Sequence, residues 1–299
     1  MTELIMLIGL PACGKSTFAQ EMVSEEYHWH SSDNLRAELG LRDASPADNN
    51  RLFTELHRRI RNDLRNGISC IYDATNLTRK NRMSFLNEIQ TIACRKTCCL
   101  FLVHVDECKR RNALRGHSVP EFVYDKMLAR FEPPFYKEGW DDIQIRTSGK
   151  LNEFDPESMI GFQQDNPHHN LDLYGHTMCV LNNVREMAPG NEILAKAALY
   201  HDIGKMCTKK FTDRDGNPTK EAHYFGHAGY GAYMFLESEA AKGALRDEEF
   251  LRQDLYIASL IAQHMSPFFW GEHTNTVRKK LGEKMFKDIL VLHSADIKK

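Results

Sequence analysis

The chain has 299 residues, of which 42% are hydrophobic and 27% charged, with a net charge of −2. That length exceeds what one hydrophobic core usually supports, so two domains are expected, and the composition excludes a disordered or low-complexity protein. The near-neutral balance excludes a global field that would draw nucleic acid.

The opening segment MTELIMLIGLPACGKS is a short apolar run ending in a glycine-rich turn, without the basic leader and cleavage site of a signal peptide. It reads as a buried strand. No later stretch reaches the roughly 20 apolar residues that span a bilayer. A cytoplasmic protein with no membrane contact is expected. The eight cysteines contain no CxxC pair, which argues against a zinc knuckle. Split at residue 150, the first part holds 22 Lys+Arg against 20 Asp+Glu and the remainder 17 against 21.

The first half alternates apolar runs with amphipathic stretches. LIMLIG precedes a helix from Lys15; YHWHSSD precedes another; a long helix covers 48–66; ISCIYD precedes a helix over 79–93; TCCLFLVHV precedes helices to Arg130; and IQIRTS closes the series. This alternation implies an α/β domain over 1–150 with a parallel sheet covered on both faces. Residues 147–166, TSGKLNEFDPESMIGFQQDN, are rich in turn formers and mark a boundary. From 163 to 299 helical periodicity dominates and convincing strand runs are absent, so the second domain is expected to be all-α.

Gly9-Leu10-Pro11-Ala12-Cys13-Gly14-Lys15-Ser16 is a complete GxxxxGK[ST] pattern between a strand and a helix. Such a loop binds ATP with Mg²⁺. Backbone N–H groups from Gly9 through Cys13 and Gly14 to Thr17 wrap the phosphates, Lys15 reaches the β- and γ-phosphates, and the Ser16 hydroxyl holds Mg²⁺. Asp33 follows the second strand, where a carboxylate can take a proton from an attacking hydroxyl or simply cap a helix. Arg36, one turn on, can pair with Asp33 or hold a substrate phosphate. Asp73 ends IYDATN in the place of a Mg²⁺-orienting carboxylate. Arg111 and Arg115 are spaced to share a helix face and close over the transferred phosphoryl group. Arg51, Arg58, Arg59, Arg61 and Arg65, with Arg79, Lys80 and Arg82, either line a groove for a phosphate backbone or form a solvated face.

These residues resemble the phage-type polynucleotide 5′-hydroxyl kinases, which share the P-loop, a DxxR element (Asp33 to Arg36), a D-x-x-N element (Asp73-Ala74-Thr75-Asn76) and an RNxxxRG lid (Arg111 to Gly116). The resemblance implies that Asp33 is the general base, Arg36 binds the acceptor's phosphate, and Arg111 and Arg115 clamp the ATP phosphates. The D-x-x-N form also occurs in kinases acting on small molecules or aminoacyl-tRNA.

In the second half, His201-Asp202 sits in the apolar run AALYHDIGK, where two ligand-type residues need a partner. His176, His227, His264 and Asp296 lie on other helical segments. Imidazole and carboxylate together suit Mn²⁺, Ni²⁺, Co²⁺, Fe²⁺ or Zn²⁺, and two ions can share Asp202 while polarising a water. The order of these residues resembles the HD superfamily of phosphohydrolases, and QDNPHHNLDLYGHT resembles the HD domains of bacterial tRNA nucleotidyltransferases. The resemblance implies a core site of His176, His201, Asp202 and Asp296, a second site completed by His227 and His264, and Lys205 facing a substrate phosphate. His168 and His169 are expected to contact substrate without ligating metal. Three residues follow Asp296, so the last helix is expected to fray or the natural chain to continue.

Together the two modules resemble end-healing enzymes: a kinase acting on 5′-hydroxyl ends, RNA more than DNA, with a phosphatase removing a 3′-phosphate or 2′,3′-cyclic phosphate, ahead of a ligase. A nucleoside or sugar kinase fused to a nucleotide phosphohydrolase, or an ATP-binding sensor, are the competing expectations.

Overall fold

The computed structural model describes residues 1–41, 45–116, 118–167 and 170–298. His168 and His169 lie outside the described residues. The chain divides into two compact units, one of Met1–Tyr124 with Pro134–Leu151 and one of Asp125–Pro133 with Asn152–Lys299.

The first unit runs β1 (Glu3–Ile8), α1 (Lys15–Met22), β2 (Tyr27–Ser31), α2 (Ser32–Glu38), α3 (Pro46–Arg65), β3 (Ser69–Asp73), α4 (Arg79–Glu88), β4 (Arg95–Leu102), α5 (Val105–Ala113), the first half of α6 (Glu121–Leu128), which from Asp125 on belongs to the second unit, and β5 (Asp142–Thr147). The strands form one sheet in the order β2-β3-β1-β4-β5, parallel throughout. In β1 every residue from Leu4 to Ile8 is buried, the signature of a strand covered on both faces. The long helix begins earlier than the periodicity suggested, because the Ser45 hydroxyl accepts the Asp48 N–H and Pro46 occupies the first turn. Its buried Leu52, Leu56, Ile60 and Leu64 recur every four residues and form a single apolar stripe.

Arg82 and Glu138 are both fully buried and form a bidentate pair at 2.7 and 2.6 Å. Arg82 also donates to the Asn76 carbonyl at 3.1 Å, and the Trp140 indole donates to Glu138 at 3.1 Å. This network anchors the loop after β3 to the segment before β5.

The second unit contains α7 (Leu173–Met187), α8 (Glu192–Tyr200), α9 (Lys205–Thr208), β6 (Lys210–Thr212), β7 (Pro218–His223), α10 (His227–Ala241), α11 (Glu248–Gln263), α12 (Thr274–Leu281) and α13 (Glu283–Ile297). It is helical apart from the antiparallel pair β6–β7, which corrects the expectation that strands are absent here. The hairpin strands are largely polar, so apolar alternation could not reveal them. Asp213 shapes the turn, its carboxylate accepting the N–H groups of Asp215 and Asn217 at 2.9 and 2.8 Å. A Cβ at Gly204 would lie 2.1 Å from the His227 carbonyl oxygen, so only glycine permits the close approach of the segment after Asp202 to α10. The end of α13 is tied down: Asn183 donates to the carbonyls of Ala295 and Lys298 at 2.9 and 3.3 Å. No helix among the described residues is long and apolar enough to cross a membrane.

Replacing Arg82 by Met should destabilise the first unit by about 3–5 kcal/mol, because Glu138 is left as an uncompensated buried charge. Chemical denaturation should show this loss, and the double change Arg82→Met with Glu138→Leu should recover most of it.

Candidate functional site

The loop between β1 and α1 adopts a nucleotide-cradling shape. Gly14, at the N-terminus of α1, has φ 102°, and Ala12 is held at φ 59°. A Cβ on Gly9 would approach the Cys13 sulfur to 2.7 Å. Lys15 is buried and donates to the carbonyls of Gly9 and Leu10 at 3.0 and 2.7 Å, folded across the loop it would serve. The Ser16 hydroxyl donates to Asp73 at 2.8 Å, and the Trp29 indole donates to the same carboxylate oxygen at 3.2 Å. Burial raises the Asp73 carboxyl above its ordinary value, while Lys15 and the Ser16 and Trp29 hydrogen bonds oppose that rise. Ser16 and Asp73 therefore present adjoining oxygens suited to Mg²⁺ and its waters, and Thr17 follows in the first turn of α1. Asn76, buried with φ 48°, donates to the Leu7 carbonyl at 2.9 Å, and the Gly9 N–H bonds the Thr75 carbonyl at 3.1 Å. The Asp73-to-Asn76 element thus braces the P-loop as well as supplying a carboxylate.

On the acceptor side, Ser31 caps α2, which leaves Asp33 in the first turn with its side chain 75% exposed. Arg115 lies 3.8 Å from its carboxylate. Arg36 pairs with Asn49 at 2.6 Å, and its buried Nη1 makes no hydrogen bond among the described residues. Of the two lid arginines, Arg111 lies on α5, held by Glu107 at 2.6 Å and Ser148 at 3.0 Å. Arg115 lies past the end of α5, so the two do not share a helix face. Asn112 folds that turn back by pairing with the Val119 backbone at 2.8 and 3.0 Å.

The expected phosphate groove does not assemble from all of its arginines. Arg58 and Arg59 are paired with Glu55, Arg59 also with Glu38, and Arg61 with Glu88. Arg82 is interior.

In the second unit the six predicted ligand residues converge around Asp202, which is 2% exposed. Its Oδ2 lies 3.4 Å from His176 Nε2 and 3.2 Å from His201 Nε2, and Asp296 Oδ1 lies 3.0 and 3.5 Å from the same two nitrogens. Its Oδ1 lies 3.2 and 3.7 Å from Nε2 of His227 and His264. Nδ1 of His201, His227 and His264 sits 2.8, 2.8 and 2.7 Å from the carbonyls of Ala198, Tyr224 and Ile261. Each carbonyl needs a proton on Nδ1, which leaves Nε2 facing the cluster, where it holds a proton or, once that proton is lost, a metal. Among the described residues His201 Nε2 and Asp202 Oδ2 are buried without a hydrogen bond of acceptable geometry, although Lys205 makes an ion pair with Asp202 Oδ2. Burial opposes protonation of His201, yet the Asp202 and Asp296 carboxylates outweigh it and hold the imidazole up at about 10. The cluster therefore demands positive charge. His264, buried against His227 and His201, is pushed down to about 3. These donors fit one or two divalent transition ions, with Asp202 facing both halves of the set.

Lys205 lies 2.7 Å from Asp202 and donates to Gln164 at 2.9 Å; the Tyr224 hydroxyl donates to the Gln164 carbonyl. Gln164 and Tyr224 were not singled out in the sequence. A glutamine in a turn-rich segment and a tyrosine after a polar strand carry no spacing that could have found them.

Residues 4–134 match the AAA domain family and residues 173–296 the HD domain family. The chain joins a P-loop kinase domain to an HD domain. It is similar to an L-seryl-tRNA(Sec) kinase of Methanococcus maripaludis, 28% identical over 163 residues, which is 50% of this chain and 61% of that protein. The match thus spans about three fifths of that relative's length. Among solved structures, a putative kinase from Chloroflexus aurantiacus is 19% identical, covering 49% of this chain and 88% of that one, with a TM-score of 0.41. The Pnkp1/Rnl/Hen1 RNA repair complex is also 19% identical, covering 62% of this chain and 68% of that one, with a TM-score of 0.38.

Lys15→Ala should lower ATP-dependent phosphorylation at least about 100-fold by removing the cation that follows the transferred charge. Asp202→Ala should abolish metal-dependent phosphohydrolysis and cut the bound metal read by atomic spectrometry. Each variant should retain the other activity; loss of both in either one would contradict independent sites.

Proposed function

We propose that this is a nucleic acid end-healing enzyme, phosphorylating 5′-hydroxyl ends, of RNA in preference to DNA, and removing a 3′-phosphate or 2′,3′-cyclic phosphate so that a ligase can act. The observation that carries the reading is the pairing, on α2, of an exposed carboxylate at Asp33 with a buried Arg36 Nη1 that has no hydrogen-bond partner among the described residues. A buried guanidinium N–H left unsatisfied is costly unless an anion meets it. An acceptor carrying a phosphate next to its hydroxyl answers that demand, and an open approach to Asp33 admits the end of a polymer.

In this mechanism Asp33 accepts the proton of the 5′-hydroxyl as its oxygen attacks the γ-phosphorus of ATP, and ADP leaves. Lys15 tracks the phosphate charge, Ser16 and Asp73 would hold Mg²⁺, which would offset charge on the phosphates, and Arg111 and Arg115 neutralise the equatorial oxygens. Arg36 fixes the neighbouring phosphodiester. In the HD domain, His176, His201, Asp202, His227, His264 and Asp296 would hold the divalent ions, which supply a polarised water as nucleophile. Lys205, oriented by Gln164, steadies the phosphate oxygens as the ribose hydroxyl departs.

A second reading takes the acceptor as the serine hydroxyl of an aminoacyl-tRNA, as the name of the Methanococcus maripaludis relative suggests. Labelled ATP and Mg²⁺ offered with a 5′-hydroxyl RNA oligonucleotide, its DNA counterpart, seryl-tRNA, nucleosides and sugars separate the readings. Label on the RNA oligonucleotide, falling steeply with salt, is the expected outcome; label confined to seryl-tRNA or to a nucleoside would overturn it. Arg36→Ala should raise KM for the oligonucleotide about 10- to 100-fold, the worth of a charge-assisted phosphate contact, with a smaller effect on any nucleoside turnover.

A further inference from the structure

We propose that His28, His30 and Asp63 form a further divalent metal site in the first unit, separate from the HD cluster and of the type that takes Zn²⁺. His28 and His30 are two residues apart on β2, so both imidazoles project from one face of the strand at the sheet's edge. Asp63 comes from α3. His28 Nδ1 and His30 Nε2 approach the same oxygen, Asp63 Oδ2, at 2.8 and 2.9 Å, and the three donor atoms lie within 4.8 Å of one another.

Two imidazoles and one carboxylate form a borderline donor set that favours zinc-like ions over Mg²⁺ or Ca²⁺. Around an ion with bonds of about 2.0–2.1 Å, tetrahedral donors sit about 3.3 Å apart, so the two histidine–Asp63 distances need to open by only about half an ångström. The burial suits this: the side chains of His30 and Asp63 are 11% and 17% exposed, while that of His28, at 47%, opens to solvent on the side where water would complete the coordination. The neighbouring cation Arg59 is paired with Glu38 and Glu55, which reduces its repulsion of an ion.

The two elements bridged give the site its consequence. β2 ends in Ser31, the cap of the helix bearing Asp33 and Arg36, and α3 carries Asn49, the partner of Arg36. An ion across β2 and α3 would clip together the two elements that frame the acceptor side of the kinase. His28, His30 and Asp63 would be positioning residues, touching neither ATP nor acceptor.

The test uses the full-length chain with His201→Ala and Asp202→Ala, which cripple the HD cluster. After loading with Zn²⁺ and gel filtration, it should retain about one zinc per chain, and adding His28→Gln and His30→Gln should remove it. Co²⁺ should give the visible absorption of a low-coordinate nitrogen-oxygen site only when both histidines are present. Zinc should raise the thermal midpoint of the first chain and leave the second unmoved, and matching midpoints without metal would show that both fold. Failure of the first chain to bind zinc, or zinc that persists in the second, would overturn the site. Neither outcome touches the proposed acceptor, which is read by phosphorylation alone.

Discussion

The second unit is organised around one buried carboxylate. Asp202 has no access to water, and a bare charge in such a place is not tolerated without compensation. The surrounding elements supply it: α7 gives His176, the end of α8 gives His201, α9 gives Lys205, the start of α10 gives His227 and the end of α11 gives His264, while α13 adds a second carboxylate, Asp296, that shares His176 and His201. Three of the four histidines hang from backbone carbonyls one turn away, so ring orientation is set by helix geometry. The close approach at Gly204 belongs to the same constraint, because bulk there would push α10, and His227 with it, away from Asp202.

The first unit follows a similar economy with different parts. Its phosphate cradle is backbone, and backbone holds a left-handed, open conformation only when its surroundings enforce it. Asn76 and the Gly9–Thr75 bond supply that enforcement, and Arg82 with Glu138 holds Asn76 in turn. A buried ion pair is an expensive way to add stability, so its worth lies in fixing one loop geometry. Moving outward from Lys15 and Asp73 to Asp33, the site passes from rigid and buried to exposed, as expected where a fixed nucleotide meets an exchangeable acceptor.

What could be read from the sequence follows how local each constraint is. The P-loop was legible because strand, turn and helix N-terminus are contiguous. The HD set was legible because an HD pair inside an apolar helix is chemically conspicuous and the remaining histidines lie on helical segments. The arginines were open to two readings because Arg59 and Arg61 meet Glu38 and Glu88 only through the tertiary fold, and Arg82 turns inward to a glutamate 56 residues away. The β6–β7 hairpin escaped because its signal is an Asx turn in a polar stretch, and Arg115 was placed on a helix that Leu114 already ends.

The two active sites draw on separate side chains. Every predicted kinase residue, from Gly9 to Arg115, belongs to the first unit, and every predicted HD ligand, with Lys205, belongs to the second. No residue is shared between the two sets. On the end-healing reading the chemistry is complementary: one site adds a phosphate to a 5′-hydroxyl, the other removes one from a 3′ position, and both products are needed before two ends can be sealed. Separate side chains leave each site free to fit a differently shaped end, and covalent linkage keeps both activities at one break.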